Sequence, residues 1–312
     1  MPDLVLLCGI LSESPVALVR ERLRELGVPH VALSQRAFER VPFRFEIRSG
    51  TVVGELQVDG TPYALEDVGA VYIRLMDDQH LPELSDELEG SPRRLHARAW
   101  HDAVLRWCEI APARVVNRVG AMASNCSKPF QAQAILRHGF RTPETLITSD
   151  PPAVREFTRR VGRVVYKSIS GVRSIVRELE AADLERLDRI RWCPVQFQAF
   201  VDGRNLRVHT VGERVFATAI ASRATDYRYA QRQGCEPAEL EAVEVTDDLA
   251  ERCVALARDL DLPFAGIDLK VTPEEEVYCF EVNPSPAYAY YESHTGQPIA
   301  AALAKYLAGI ES

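Results

Sequence analysis

Between Phe264 and Pro286 the chain carries two β-like runs, Phe264 to Val271 and Val277 to Asn283, joined by the short stretch Pro273 to Glu276. Apolar and polar residues alternate through them, the pattern of strands with one buried face, and the joint reads as a four-residue hairpin loop. In that register Asp268 falls opposite Glu281, while Ile267, Leu269 and Val271 fall opposite Val282, Phe280 and Tyr278. A slip by one residue would drive carboxylates into the aliphatic face, so the pattern specifies its own pairing. Tyr278, Phe280 and Val282 are expected on one face, and Cys279, Glu281 and Asn283 on the other.

Asp268, Glu281 and Asn283 then present oxygen donors together. A hard cation such as Mg²⁺ suits that face better than zinc, because Mg²⁺ takes one or two protein carboxylates and completes its octahedron with water and substrate phosphates. The face therefore implies a nucleotide. The alternative is a solvated hairpin surface, as for most strand carboxylates. Against it stands the exit Asn283-Pro284-Ser285-Pro286, an ordered turn that a generic hairpin does not need.

Length and composition set the frame for this site. A chain of 312 residues accommodates two or three α/β subdomains around a large core. Its seven cysteines show no CxxC or Cys/His ligand spacing and sit mostly in apolar runs, which argues against zinc and disulfides and predicts a reducing cytoplasmic setting. The run Leu4 to Leu11 is too short for a membrane span and lacks the basic flank of a signal peptide, so no membrane partner is expected. A net charge of −8 weighs against nucleic acid. No Gly-x-Ser-x-Gly, Gly-Lys-Ser/Thr or Gly-x-Gly-x-x-Gly motif occurs, which removes the commonest hydrolase, kinase and dinucleotide readings.

Local patterns predict a small α/β domain first: a buried strand at Asp3 to Cys8, a helix over Val16 to Leu26 with Ser14 as cap and Gly27 as stop, and strands near 28–33, 45–47, 52–58 and 70–75. Asp77 to Gly90 is polar and acidic and is expected to be disordered before a helix at Pro92 to Glu109. A short strand at Val115 to Asn117 precedes a helix from Lys128 to His138 capped by Ser127. Strands are expected at 145–147, 163–167, 174–177, 195–201, 206–211 and 215–221, with helices at 152–161, 182–188, 247–260 and 298–307 and a charged loop from Ser222 to Pro237. These patterns divide the chain at 1–115, 116–190 and 191–312.

Several cations are placed to meet phosphate. Lys167 ends a strand beside Ser168, Ser170, Gly171 and Ser174, whose small side chains let backbone N–H groups approach an anion. Lys128 opens a helix, where a bound phosphate would relieve its conflict with the helix dipole. Arg207, Arg223 and Arg228 have forked donors that suit carboxylates and acyl-phosphates. For each, a solvated surface cation or an exposed ion pair is the plainer alternative. His209 and His294 have no partner at ligand or triad spacing and are assigned structural or surface roles.

These pieces, in this order, resemble the ATP-grasp superfamily, most closely its RimK-type and glutathione synthetase-like branch, over about Asn117 to Leu307. Gly266-Ile-Asp-Leu with Phe280-Glu-Val-Asn-Pro-Ser-Pro286 is similar to the paired-magnesium motif, and Gln198-Ala-Phe-Val-Asp-Gly-Arg-Asn-Leu-Arg207 to the adenine hinge and following strand. The resemblance implies an α/β fold, with an N-terminal preATP-grasp domain followed by two subdomains that clasp ATP. It implies that Lys128 and Lys167 contact phosphates, that Gln198, Ala199, Phe200 and Val201 form the hinge, and that Asp202 reaches the ribose. Arg207 would act with Lys167 at the reacting phosphate. Asp268, Glu281 and Asn283 would hold two Mg²⁺ ions, for which Mn²⁺ can substitute. Arg223, Arg228 and Ser285 are candidate substrate contacts.

The activity so implied is ATP-dependent joining of a carboxylate to an amine through an acyl-phosphate, with amino acids or peptides as substrates and a homo-oligomer admissible. A macrocyclase that cross-links a ribosomal peptide and a kinase that stops at phosphoryl transfer are the alternatives. A pure nucleotide-binding module is a further one. Two departures bear on this. The hinge acid usual in the family is Ala199 here, and the Gly-Gly loop of the glutamate ligases is replaced by Ser222-Arg-Ala-Thr-Asp-Tyr-Arg228, so glutamate specificity does not carry over. Thr295 to Ala304 is similar to the ending of enzymes that cross-link ribosomally made peptides through ester or amide bonds.

Overall fold

The computed structural model describes residues 4–169, 176–222, 236 and 238–310. Strand β1 (Leu4–Gly9) leads into helix α1 (Ser14–Glu25) and strand β2 (His30–Ser34). Pro15 supplies the fixed φ of the first helical turn, and Gly27, at φ +66°, turns the chain back toward β2. An antiparallel leaf follows, made of β3 (Phe43–Arg48), β4 (Thr51–Val58) and β5 (Thr61–Ala64). Then come β6 (Val68–Arg74), helix α2 (Pro92–Ile110) and β7 (Arg114–Val116).

Strands β2-β1-β6-β7 form a parallel sheet in that order. Alternation along β1 splits its residues between two cores: Leu6 and Cys8 pack with Trp100, Val104 and Trp107 of α2, and Val5 and Leu7 with Val16, Val19 and Leu23 of α1.

The segment from Asp77 to Gly90, expected to be disordered, is folded. Two 3₁₀ turns, Asp78–His80 and Pro82–Leu84, bury Leu81 and Leu84. Arg94 of α2 donates to the carbonyls of Leu84 at 2.6 Å and Glu87 at 3.0 Å. The anchors come from the following helix, so local polarity carries no sign of them.

Helices α3 (Val119–Met122) and α4 (Lys128–Arg137) come next, α4 capped by Ser127 Oγ accepting from Phe130 N–H. Strand β8 (Thr145–Thr148), helix α5 (Pro151–Val161), strands β9 (Val164–Ser168) and β10 (Arg177–Glu178), helix α6 (Ala181–Leu184) and strand β11 (Val195–Ala199) complete the middle part. Their antiparallel sheet has the order β10-β9-β11-β8, so it takes one strand from beyond residue 190. Val154 and Phe157 of α5 cover one face.

The third sheet, β14-β13-β12-β15-β16, is antiparallel throughout. It contains β12 (Arg204–Val211), β13 (Arg214–Ala221), β14 (Glu239–Val243), then β15 (Phe264–Val271) and β16 (Val277–Asn283) after helix α7 (Asp247–Asp259). Val208, Ile267 and Val282 pack against Ala134 and Ile135 of α4 and Cys253 and Leu256 of α7. Helix α8 (Tyr288–Thr295) and helix α9 (Ile299–Ala308) close the chain. α9 returns to the first sheet, where Ile299, Leu303 and Leu307 join Val16, Val19 and Leu23. Sequence patterning had shown neither β14 nor α8.

The C-terminal hairpin forms with one correction. Asp268 pairs with Glu281 and Ile267 with Val282 as expected, but Leu269 pairs with Cys279 and Val271 with Val277. Phe280 is the extra residue of a β-bulge. Cys279 and Val282 therefore both turn into the core, while Phe280 and Glu281 both face the cleft between the second and third sheets. A strict period of two cannot bury two residues that stand three apart, and the bulge resolves the conflict.

Candidate active site

Three neighbouring strands set the site. Register across β12, β15 and β16 aligns Arg207, Asp268 and Glu281 in one row, and His209, Gly266 and Asn283 in the next. Arg207 is 4 % exposed, and its Nη1 donates to Asp268 Oδ1 at 2.6 Å. Lys128, at the start of α4, reaches Glu281 Oε1 at 2.6 Å and donates to Asn125 Oδ1 at 2.6 Å. Both carboxylates thus carry a cation across the cleft floor. Asn283 Oδ1 accepts from Ser285 N–H at 2.9 Å, which makes the turn after β16.

Lys167, on β9, projects into the same cleft from the opposite sheet. The cleft is open to solvent and is lined by Val165, Lys167, Gln198 to Val201, Lys270, Phe280, Asp268 and Glu281. Its far wall is the hinge. Ala199 N–H donates to Glu144 O and Phe200 N–H to Arg163 O, both at 2.9 Å, and Lys270 Nζ donates to Val201 O at 2.9 Å. The Phe200 ring lies between the Arg163 guanidinium at 3.7 Å and Lys270 at 5.2 Å. Burial holds the Lys270 ammonium below its ordinary pKa, partly offset by Asp202.

Of the residues singled out from sequence, Lys167, Gln198, Ala199, Phe200, Val201, Asp268 and Glu281 line this one cleft, with Lys128 and Arg207 bonded to its two carboxylates. Asp202 lies just outside, its Oδ1 accepting from Gly203 N–H at 2.9 Å. Ser285 lies on the turn beyond Asn283, where its Oγ accepts from Arg74 of β6 at 3.0 Å. Arg223, Arg228 and most of the Ser168 to Ser174 loop fall outside the described residues.

Three further groups shape the site. Asn117, 2 % exposed, donates to Phe264 O and Pro284 O, both at 2.6 Å, and accepts from Phe264 N–H. Arg74 also donates to Pro286 O at 3.1 Å and pairs with Glu13 at 2.6 Å. Gly266 leaves space: a Cβ there would stand 2.0 Å from Arg207 Nη2. A glycine flanking a strand aspartate was visible in sequence, but its neighbour across the sheet was not.

The donor set fits a hard cation. Asp268, Glu281 and Asn283 offer oxygen donors, the ligands that Mg²⁺ prefers, and among the described residues no group of three or more His, Cys, Asp or Glu side chains gathers to hold a metal by itself. Among the same residues no helix is long and apolar enough to cross a membrane.

Comparison with known proteins decides the class. The RimK-like ATP-grasp domain matches residues 126–307, more than half of the chain. The chain belongs to the RimK-like ATP-grasp family. It is an ATP-grasp ligase, and ATP and Mg²⁺ are its cofactors. A relative from Pseudomonas paraeruginosa, described as a probable alpha-L-glutamate ligase, is 26% identical over 216 residues, covering 66% of this chain and 70% of its own. A Methanococcoides burtonii protein with the same description is 24% identical over 77% of this chain and 84% of its own.

Among solved structures, the ATP-grasp ligase PsnB complexed with a phosphomimetic variant of minimal precursor, Mg and ADP superimposes with TM-score 0.79 at 27% identity, covering 99% of both chains. A Chryseobacterium gregarium RiPP-associated ATP-grasp ligase in complex with ADP and a leader and core peptide gives TM-score 0.85 at 20% identity over 99% of this chain and 98% of that one, a likeness of fold.

Proposed function

We propose that this ligase activates a carboxylate of a ribosomally made peptide and joins it to an amine or hydroxyl of the same peptide. The observation that carries the reading is the end-to-end match to PsnB, an ATP-grasp ligase also solved with a precursor peptide: the likeness covers 99% of both chains, N-terminal sheet included. The glutamate ligases align over only 66% to 77% of this chain. The site geometry supports the same chemistry. Two opposed carboxylates, each already held by a cation, stand on one wall of a cleft whose other wall carries Lys167.

Mg·ATP, when bound, would supply the phosphoryl group that turns a carboxylate into an acyl-phosphate and leaves ADP; the nucleophile then displaces phosphate from the acyl carbon. Asp268, Glu281 and Asn283 would hold the metal ions. Lys167, Lys128 and Arg207 place three fixed positive charges on the cleft walls, where they offset charge that develops on transferred oxygens. Phe200, Phe280 and the hinge backbone form the apolar slot for the base. Ser285 and the arginines at 223 and 228 belong to the substrate side of this proposal. So does the division at 1–115, 116–190 and 191–312, with the last border moved to the hinge because β11 completes the second sheet.

Glu281→Ala tests the reading. Loss of ADP release in a coupled assay, with an unchanged circular dichroism spectrum, is the expected result; undiminished turnover defeats it. Mass spectrometry of candidate peptides then separates the reactions. One water lost per bond marks internal ligation, a glutamyl gain marks the activity that the curated relatives are described with, and a stable phosphate gain marks a kinase.

A further inference from the structure

We infer that His209 is the positioning residue of this reaction, a neutral wedge that fixes the Arg207 guanidinium over Gly266 and against Asp268. The inference rests on the reading of Arg207 as a charge at the reacting phosphate. His209 follows Arg207 by two on β12, so both side chains leave the same face of the strand. His209 is fully buried, and Arg207 Nε donates to its Nε2 at 3.4 Å. Tyr291 of α8 closes the arrangement, with its ring edge-on to the imidazole at 4.9 Å and 5.7 Å from the guanidinium carbon.

The contact fixes the chemistry of the ring. A guanidinium only donates, so Nε2 must be the bare acceptor and the proton sits on Nδ1. Burial and the neighbouring Arg207 charge both hold the imidazole well below its usual pKa, which keeps that acceptor available. Among the described residues Nδ1 has no hydrogen-bond partner. A purely structural histidine would be expected to satisfy that N–H. Here it is left unsatisfied while the other nitrogen serves the arginine.

Cross-strand register explains why the wedge is needed. The row behind Arg207 contains His209 and then Gly266, and the missing side chain at 266 opens the space that Nη2 fills. The guanidinium occupies that space beside Pro286. The imidazole below and the carboxylate of Asp268 ahead hold it at two points, so Nη1 stays within 2.6 Å of Asp268 Oδ1.

The test compares His209→Phe, which keeps a ring but removes the acceptor, with His209→Gln, whose amide oxygen reaches about where Nε2 stood. In the protein without nucleotide, the Nε–H signal of Arg207 is assigned in an arginine-selective NMR spectrum by its loss in Arg207→Met. Wild type and His209→Gln should show a slowly exchanging signal and His209→Phe a fast one; the same exchange in all three overturns the inference. With Mg·ATP and the acceptor peptide, His209→Phe should lower kcat about 30-fold with KM for ATP within about threefold, and His209→Gln should recover most of it.

Equal losses in both variants would mean packing alone and also overturn the inference. If Arg207→Met keeps full turnover, the reading of Arg207 fails, and the role of His209 in the reaction fails with it. If Arg207→Met is inactive while His209→Phe matches wild type, only the present inference fails. Should His209→Phe not fold, the wild-type signal decides, protection supporting the wedge and free exchange excluding it.

Discussion

One residue with no side chain to contribute shapes the site as strongly as its charges do. Gly266 is where Arg207 lies, and a single methyl at 266 would stand 2.0 Å from Nη2 and 2.8 Å from Pro286 Cβ. Gly266→Ala should therefore lower turnover by at least about 100-fold, because the displaced guanidinium is lost from the row that it shares with Asp268, while overpacking costs about 1–3 kcal/mol of stability. Steady-state kinetics set beside a urea melt would separate the two effects. Asp268 and Glu281 were legible in sequence because alternation puts them opposite each other. The Arg207 pair and Lys128 were legible as charges in suggestive places, but their partners were not, since 61 and 153 residues of chain separate them from Asp268 and Glu281. His209 went unread for a related reason: its partner is two residues away on the same strand, a spacing that no ligand or triad motif uses.

At the scale of elements, the bulge in β16 decides what the cleft between the second and third sheets contains. It adds Phe280 to the cleft wall beside Glu281 without moving Cys279 or Val282 from the core. Phe280→Ala should raise KM for ATP about tenfold and leave kcat within about threefold, because a base–aromatic contact is worth about 1–3 kcal/mol and takes no part in phosphoryl transfer. An unchanged KM would place the base elsewhere. Strand and helix positions were largely readable from periodicity and caps, as Ser127 and Gly27 show. Several elements were not. Strand β14 is an exposed edge with little apolar alternation, and α8 puts tyrosines and polar residues on all sides. The turns at Asp78–His80 and Pro82–Leu84 depend on Arg94, whose contribution lies in bonds to carbonyls up to fifteen residues upstream.

The molecule as a whole is tied together by buried polar clasps between its sheets. Asn117, just past the end of β7, satisfies Phe264 N–H and the carbonyls of Phe264 and Pro284 at once, so the first sheet holds both ends of the C-terminal hairpin. Asn117→Ala leaves three backbone groups short of a partner and should cost about 2–4 kcal/mol, read as a lowered urea midpoint at unchanged slope. Helix α9 adds an apolar tie by returning to α1. None of this was visible locally, since a sequence pattern shows which face is apolar but not which distant element covers it. The central claim is that the two facing carboxylates bind a nucleotide through divalent cations. Calorimetric titration of the non-hydrolysable analogue AMPPNP tests it most directly, in wild type and in an Asp268→Asn/Glu281→Gln double variant, with Mg²⁺ and with EDTA. Binding should be tight only in wild type with Mg²⁺, and at least about 100-fold weaker otherwise, close to 2.7 kcal/mol; equal affinity in the folded double variant, or in EDTA, would contradict it.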